Sequence, residues 1–253
     1  MHNDNVIVEY IALKEARMPE KSELKETLNE MGIDMKDVMN LKITDETISF
    51  NYKDSKSFCV IQLMKVAIPW SNLEGPCSAA WYWNTATQKM KEHQAHFVVG
   101  LSRTDVDLVE NYFDLTRIVG ALATVSDTVG IYRPSGAAVF PEKMFIEEVK
   151  KSGEDSYPLA LWVNFQVGKH GDGYVLYTIG MKTFGYKEIE IQSPHNSPDK
   201  MYNLAYNLAH YILEDEREIE DGHTFGMSED EKIKVNFKDS MWDRSGEVMA
   251  ISY

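Results

Sequence analysis

Residues 174–191, YVLYTIGMKTFGYKEIEI, and residues 197–213, SPDKMYNLAYNLAHYIL, decide the fold class. Tyr174 to Met181 is rich in β-branched and aromatic residues and reads as a strand. Leu159 to Val167 reads as its partner, joined to it by the glycine-rich hairpin loop Gly168-Lys169-His170-Gly171-Asp172-Gly173. A short loop holding Phe184-Gly185 leads to a third strand, Glu188 to Ile191. Ser197-Pro198-Asp199 then supplies a helix cap with proline at the first helical position. Met201, Leu204, Ala205, Leu208, Ala209 and Ile212 follow at helical spacing. Short strands joined by tight turns and backed by one amphipathic helix predict an antiparallel sheet, and so an α+β class. Further strands near His223–Met227, Ile233–Phe237 and Val248–Tyr253 complete this half.

The N-terminal half repeats the logic. Val6 to Leu13 is an apolar strand broken only by Glu9. A helix carries Leu24, Leu28 and Met31, with Pro19 in its first turn and Gly32 as its stop. Ile48, Phe50 and Tyr52 alternate with polar residues, and Phe58 to Ile68 forms the next strand. A helix over about 78–92 and a strand over Ala95–Leu101 close a β-α-β-β-α-β order, the split βαβ arrangement. Thr104 or Asp105 caps a long helix whose stripe includes Val109, Tyr112, Phe113, Thr116, Val119 and Ala123. Val129 to Tyr132 reads as a short strand, and a helix runs from about Pro141 to Gly153. The expected organisation is an α+β unit over residues 1–103, a connecting helix over 104–127 and a second α+β unit over 128–253. Helices lie on one face of each sheet, tandem ferredoxin-like units are one form, and the whole packs as one compact body. A single large curved sheet is the rival arrangement.

The chain has 253 residues, 43% hydrophobic and 26% charged, which is globular rather than disordered usage. Lys and Arg number 26 against 40 Asp and Glu, a formal charge of −14. That argues against nucleic acid and anionic membranes as direct partners, because phosphate binding needs concentrated cations. The N-terminus, Met1-His2-Asn3-Asp4-Asn5, lacks a basic start and an apolar run, and no apolar stretch nears the ~20 residues of a membrane span. A cytoplasmic location is expected. Cys59 and Cys77 form neither a disulfide framework nor a CxxC site.

The stretch from about Leu159 to Gly226 resembles a known family. Leu161-Trp162-Val163, Tyr177-Thr178-Ile179-Gly180-Met181, Phe184-Gly185 with Glu188-Ile189-Glu190-Ile191, Tyr211-Ile212-Leu213 and Asp221-Gly222-His223-Thr224-Phe225-Gly226 are similar to the bacterial domain-of-unknown-function family numbered 4261. Ile131-Tyr132 before a helix at Pro141 extends the similarity more loosely. The family has no established activity, so the resemblance implies no catalytic residues. It implies, by association, a role among bacterial toxin-immunity proteins.

Candidate chemistry is sparse. Glu188 and Glu190 sit two apart on a strand, so both carboxylates face one way and could hold a cation or keep a proton. The same pattern suits an ordinary strand with one wet face. His223, between Gly222 and Phe225-Gly226, is a candidate ligand or base beside that pair. His93 and His96 are three apart but straddle a predicted helix end. Trp81-Tyr82-Trp83 places aromatics all round a helix, which makes Trp81 or Tyr82 a candidate interface anchor, with burial under the next helix the plainer reading. The 168–173 loop runs into a strand, not a helix, and lacks a P-loop pattern. No GxSxG, HExxH or EF-hand pattern occurs. Between Glu214 and Glu231, nine acids face Arg217 alone; Glu216, Glu218 and Glu220, in the first half of this run, are candidate contacts for a basic partner.

The leading expectation is therefore a non-enzymatic module that binds a protein partner of basic character, in one form an immunity protein neutralising a toxin, with no cofactor and no metal. A metal-dependent hydrolase using Glu188, Glu190 and His223 is the alternative. A third reading is a homo-oligomeric scaffold, with the strand Val248–Tyr253 at a sheet edge pairing with its twin.

Overall fold

The computed structural model describes residues 6–103, 106–153, 156–195, 197–214, 218–226, 232–242 and 246–253. The chain divides into two compact units, Met1–Gly153 and Glu154–Tyr253. Both are α+β, built on sheets that are mainly antiparallel.

In the first unit the order is β1 (Ile7–Leu13), α1 (Lys21–Glu30), β2 (Val38–Ile43), β3 (Thr47–Tyr52), β4 (Phe58–Met64), α2 (Trp70–Ala79), α3 (Ala86–Met90), β5 (Ala95–Ser102), α4 (Leu108–Thr124), β6 (Thr128–Arg133), β7 (Ala138–Phe140) and α5 (Glu142–Lys151). The seven strands lie in the order β2-β3-β4-β5-β1-β6-β7, all antiparallel. The alternation read in β3 is the observed one, with Ile48, Phe50 and Tyr52 buried. Gly32, at φ +82, follows α1 as expected of a helix stop. The predicted caps of α4 lie outside the described residues; Asp107 fills the role, accepting from the amides of Val109 (2.7 Å) and Glu110 (3.3 Å).

This order departs from the split βαβ arrangement. There β1 would sit beside β4; here β3, β4 and β5 form a meander and β1 joins beyond β5. The expected boundaries at 103 and 128 move for the same reason. β6 pairs with β1, Ile131 opposite Ile11, so residues 128–153 complete the first sheet, and α4 lies within this unit.

The single helix expected over 78–92 is two helices. α2 contains Pro76 and ends at Ala79, and Trp81-Tyr82-Trp83 form the turn before α3. That turn aims both Tyr82 and Trp83 at the sheet. Tyr82 donates its hydroxyl to the Val139 carbonyl at 3.0 Å and stacks on Phe140. Trp83 lies against Gly130, where an added Cβ would stand 2.9 Å from the ring. α2 and α3 cover the opposite sheet face from α4, so helices occupy both faces of this sheet.

Two buried charge groups tie α4 to its neighbours. Arg103 at the end of β5 meets Asp114 at 2.5 Å, and Tyr52 donates to the same carboxylate at 3.0 Å. Glu9 and Arg133 pair at 3.2 Å in the core, under the ring of Tyr112. Cys59 and Cys77 are buried and unlinked, and burial pushes the Cys77 thiol up to about 11.

The second unit comprises α6 (Leu159–Trp162), β8 (Asn164–His170), β9 (Gly173–Ile179), β10 (Ile189–Ser193), α7 (Pro198–Glu214), β11 (Thr224–Phe225), β12 (Ile233–Asp239) and β13 (Glu247–Ser252). The sheet order is β11-β12-β13-β10-β9-β8, antiparallel except for the parallel pair β10–β13. α7 starts at the predicted proline and buries the predicted stripe. The strand expected from Leu159 begins instead at Asn164, because Leu159–Trp162 turn helically after Pro158 and sink Trp162 between Tyr157 and Phe184. The hairpin loop is tighter than read: β8 pairs as far as His170 opposite Gly173, leaving a two-residue turn with Gly171 at φ +58. β13 lies inside the sheet, between β12 and β10, so the edge on which the proposed pairing of this strand with its twin depended does not exist. Among the described residues no helix is long and apolar enough to cross a membrane.

Candidate functional site

The Glu188/Glu190 pair is not on a wet face. Both residues are buried, as are Ile189 and Ile191 between and beside them, so β10 is covered on both sides. Glu188 precedes β10 and gathers the turn that leads into it. One carboxylate oxygen accepts from the amides of Gly180 (2.9 Å) and Lys182 (3.2 Å). The other accepts from the Met181 amide (3.2 Å) and the Thr178 hydroxyl (2.7 Å). Gly180 makes this turn possible: its φ is +132, and a Cβ would stand 2.4 Å from the Trp162 carbonyl oxygen.

Glu190 holds a different segment. Its Oε2 accepts from the Ser240 hydroxyl (2.9 Å) and the Met241 amide (3.2 Å), and its Oε1 from Gln192 (3.3 Å). This staples residues 240–242 across the sheet. Trp242 then stacks on Tyr177 with centroids 5.1 Å apart and presses against Gly168. Nothing in the local sequence around Glu190 announces a partner fifty positions away.

His223 does not join these carboxylates. Its Nδ1 accepts from the Glu220 amide at 3.2 Å, and its Nε2 lies 3.4 Å from the Glu220 carboxylate. Among the described residues no group of three His, Cys, Asp or Glu side chains could hold a metal ion. The three residues of the hydrolase reading thus have separate partners and separate structural tasks. His93 and His96 are likewise internal. His93 accepts the Ile68 amide at Nε2 (2.8 Å) and bonds the Met90 carbonyl through Nδ1; His96 bonds the Val66 carbonyl at 2.8 Å. Burial holds the His96 imidazole below its usual range. Trp81 is 67% exposed at the α2–α3 turn.

The acidic run divides. Glu214 is structural: it accepts the Tyr157 amide at 2.9 Å and faces His210 at 2.8 Å. Glu216 and residues 227–231 lie outside the described residues. Glu218, Glu220 and Asp221 border a groove of about 290 Å³. Its floor is apolar, made by Ile212 of α7, Phe237 of β12 and Met249 of β13. The turn forming the rim is clamped to β12: Asp221 accepts the Phe237 amide at 2.7 Å and the Gly222 amide donates to the Val235 carbonyl at 2.8 Å. Lys187, on the far wall, is spoken for, 3.1 Å from Glu247 and over the Phe237 ring. The charge of Glu218 and Glu220 was legible in the sequence; the floor was not, because it forms only when β12 pairs with β13.

This groove lies within a recognisable segment. Residues 177–252 match the family described as Domain of unknown function (DUF4261). The matched segment starts at Tyr177 on β9 and runs through β13, so it contains Glu188, Glu190, the groove and the 240–242 staple. The similarity read from the sequence began earlier, at Leu159, and stopped at Gly226; the match carries it through the last strand. No curated protein and no solved structure matches the chain.

Proposed function

We propose that this chain is a non-enzymatic protein-binding module whose DUF4261 segment docks a basic partner in the groove beside α7. The observation that carries the reading is the joining of an apolar floor (Ile212, Phe237, Met249) to an acidic rim (Glu218, Glu220, Asp221) in one concavity. A long basic side chain suits such a site, laying its methylene stem on the floor and its cation on the rim. The chain's charge of −14 would speed the encounter with a basic surface and repel an acidic one. An immunity protein covering a basic toxin is the concrete form we favour.

The test is capture of partners from the native host with wild-type protein and with a Glu218→Gln/Glu220→Gln variant, followed by association rates across a salt series. The variant should fold normally, associate several-fold more slowly at low salt, and show a shallower salt dependence. A captured partner that associates with both proteins at the same rate and salt slope would sink the proposal.

A further inference from the structure

The groove beside α7 already holds a cation of the chain's own. Lys187, just before β10, lines it, and its ammonium lies 4.6 Å from the centre of the Phe237 ring. That ring is part of the apolar floor, so the ammonium sits where an incoming basic side chain would rest. What holds Lys187 there is slight. Its ion pair with Glu247, at 3.1 Å, is open to water, the two side chains being 35% and 51% exposed, and such pairs contribute little. The rim keeps acceptors in reserve. Glu218 makes no hydrogen bond or ion pair among the described residues, and Asp221 uses one oxygen on the Phe237 amide and keeps the other. Size narrows the occupant. At about 290 Å³ the groove stands at the small end of ligand sites, which run upward from about 300 Å³, so it takes one long side chain and not a stretch of peptide.

We infer that the occupant is an arginine side chain of the partner, and that it enters by displacing Lys187 from Phe237. This rests on the docking proposed above and adds to it the residue that is read and the resident that it replaces. A lysine from the partner would exchange one ammonium for another at the ring, with no gain there. A guanidinium differs in two ways. It is flat and weakly hydrated, so it stacks on an aromatic face better than an ammonium does. Its N–H donors point outward in the plane of that stack, so the group that covers Phe237 can meet Glu218 and Asp221 with its edge. The displaced Lys187 turns its ammonium into water beside Glu247, at little cost. Lys187 thus sets a threshold: only a cation that holds the ring better than an ammonium stays in the groove.

The experiment is an NMR titration of the isotope-labelled full chain with two blocked peptides, acetyl-Gly-Arg-Gly-amide and acetyl-Gly-Lys-Gly-amide. Binding is read at the backbone amides of Asp221, Gly222 and Phe237. The arginine peptide should bind about fivefold more tightly than the lysine peptide. Lys187→Ala should tighten both by about threefold, because the ring is vacated. Loss of a positive charge alone would also tighten them, so the deciding variant keeps the charge. Lys187→Arg puts a stronger resident on Phe237 and should weaken the arginine peptide by about threefold. Equal affinity for the two peptides, or a Lys187→Arg protein that binds as wild type does, overturns this inference alone, since the groove would still take a cation. No shift with either peptide, even in Lys187→Ala, overturns the inference and the docking proposal together.

Discussion

Replacing Glu188 by Gln tests whether its carboxylate is a structural clamp. Gln has the same shape, so packing is kept and only the hydrogen-bond pattern changes. One oxygen can still accept from Gly180 and Lys182. The new amide group then faces the Met181 amide and the Thr178 hydroxyl, both of which donate in the wild type. The Thr178 hydroxyl can turn to accept from that amide, but the Met181 amide loses its charged acceptor, a cost of about 1.5–3 kcal/mol. For a unit of about 100 residues, each kcal/mol moves the melting temperature by roughly 4–8 °C. The transition of the second unit should therefore fall by about 6 °C or more in scanning calorimetry. Hydrogen exchange should place the damage, with amides 180–182 losing protection first. A shift below about 4 °C, less than one kcal/mol, with those amides still protected would show that the carboxylate is not what holds the turn.

Two further substitutions probe the core. Arg133→Met leaves Glu9 buried without its cation and should cost about 3–5 kcal/mol at neutral pH. Burial already raises the Glu9 carboxyl, so its favourable share of stability is complete below the unfolded value near 4.5 and is lost as pH rises through the folded value. The Arg133→Met penalty should accordingly shrink on acidification; urea titrations showing a penalty independent of pH would contradict this. Gly180→Ala must fit a Cβ 2.4 Å from a backbone oxygen at φ +132, and should cost about 3 kcal/mol or abolish folding of the second unit. A Gly180→Ala protein that melts within 2 °C of wild type would refute the reading of that turn.

Elements whose period is written in the chain were legible. α7 and β3 show in their side-chain spacing the faces that they bury. The apolar run from Leu159 carries no period, so helix and strand were equally open until Trp162 found its pocket between Tyr157 and Phe184. The break after Ala79 was not legible, because the groups that hold Tyr82 and Trp83 in the turn, Val139, Phe140 and Gly130, lie far along the chain. The Glu188/Glu190 alternation also suited a wet face, and its covers, the 178–182 turn on Glu188 and chain-distant Ser240 and Met241 on Glu190, are set only by the fold. Of the candidate site, charge could be read and concavity could not: Glu218 and Glu220 are local facts, whereas Phe237 and Met249 meet through strand pairing.

The position of β13 has a consequence for biosynthesis. Residues 247–252 leave the ribosome after the other described strands of the second unit, yet they fill the middle of its sheet. Until they emerge, β8–β10 and β11–β12 share no strand pairing, only side-chain bonds such as those of Ser240 and Met241 to Glu190, and each shows the open edge that β13 will occupy. The nascent unit therefore waits, half-built, with two sticky borders facing each other. Stalled or truncated translation products should be the forms that chaperones and proteases meet, and a short deletion at 247–252 should harm this unit more than a longer one in the 218–226 turn.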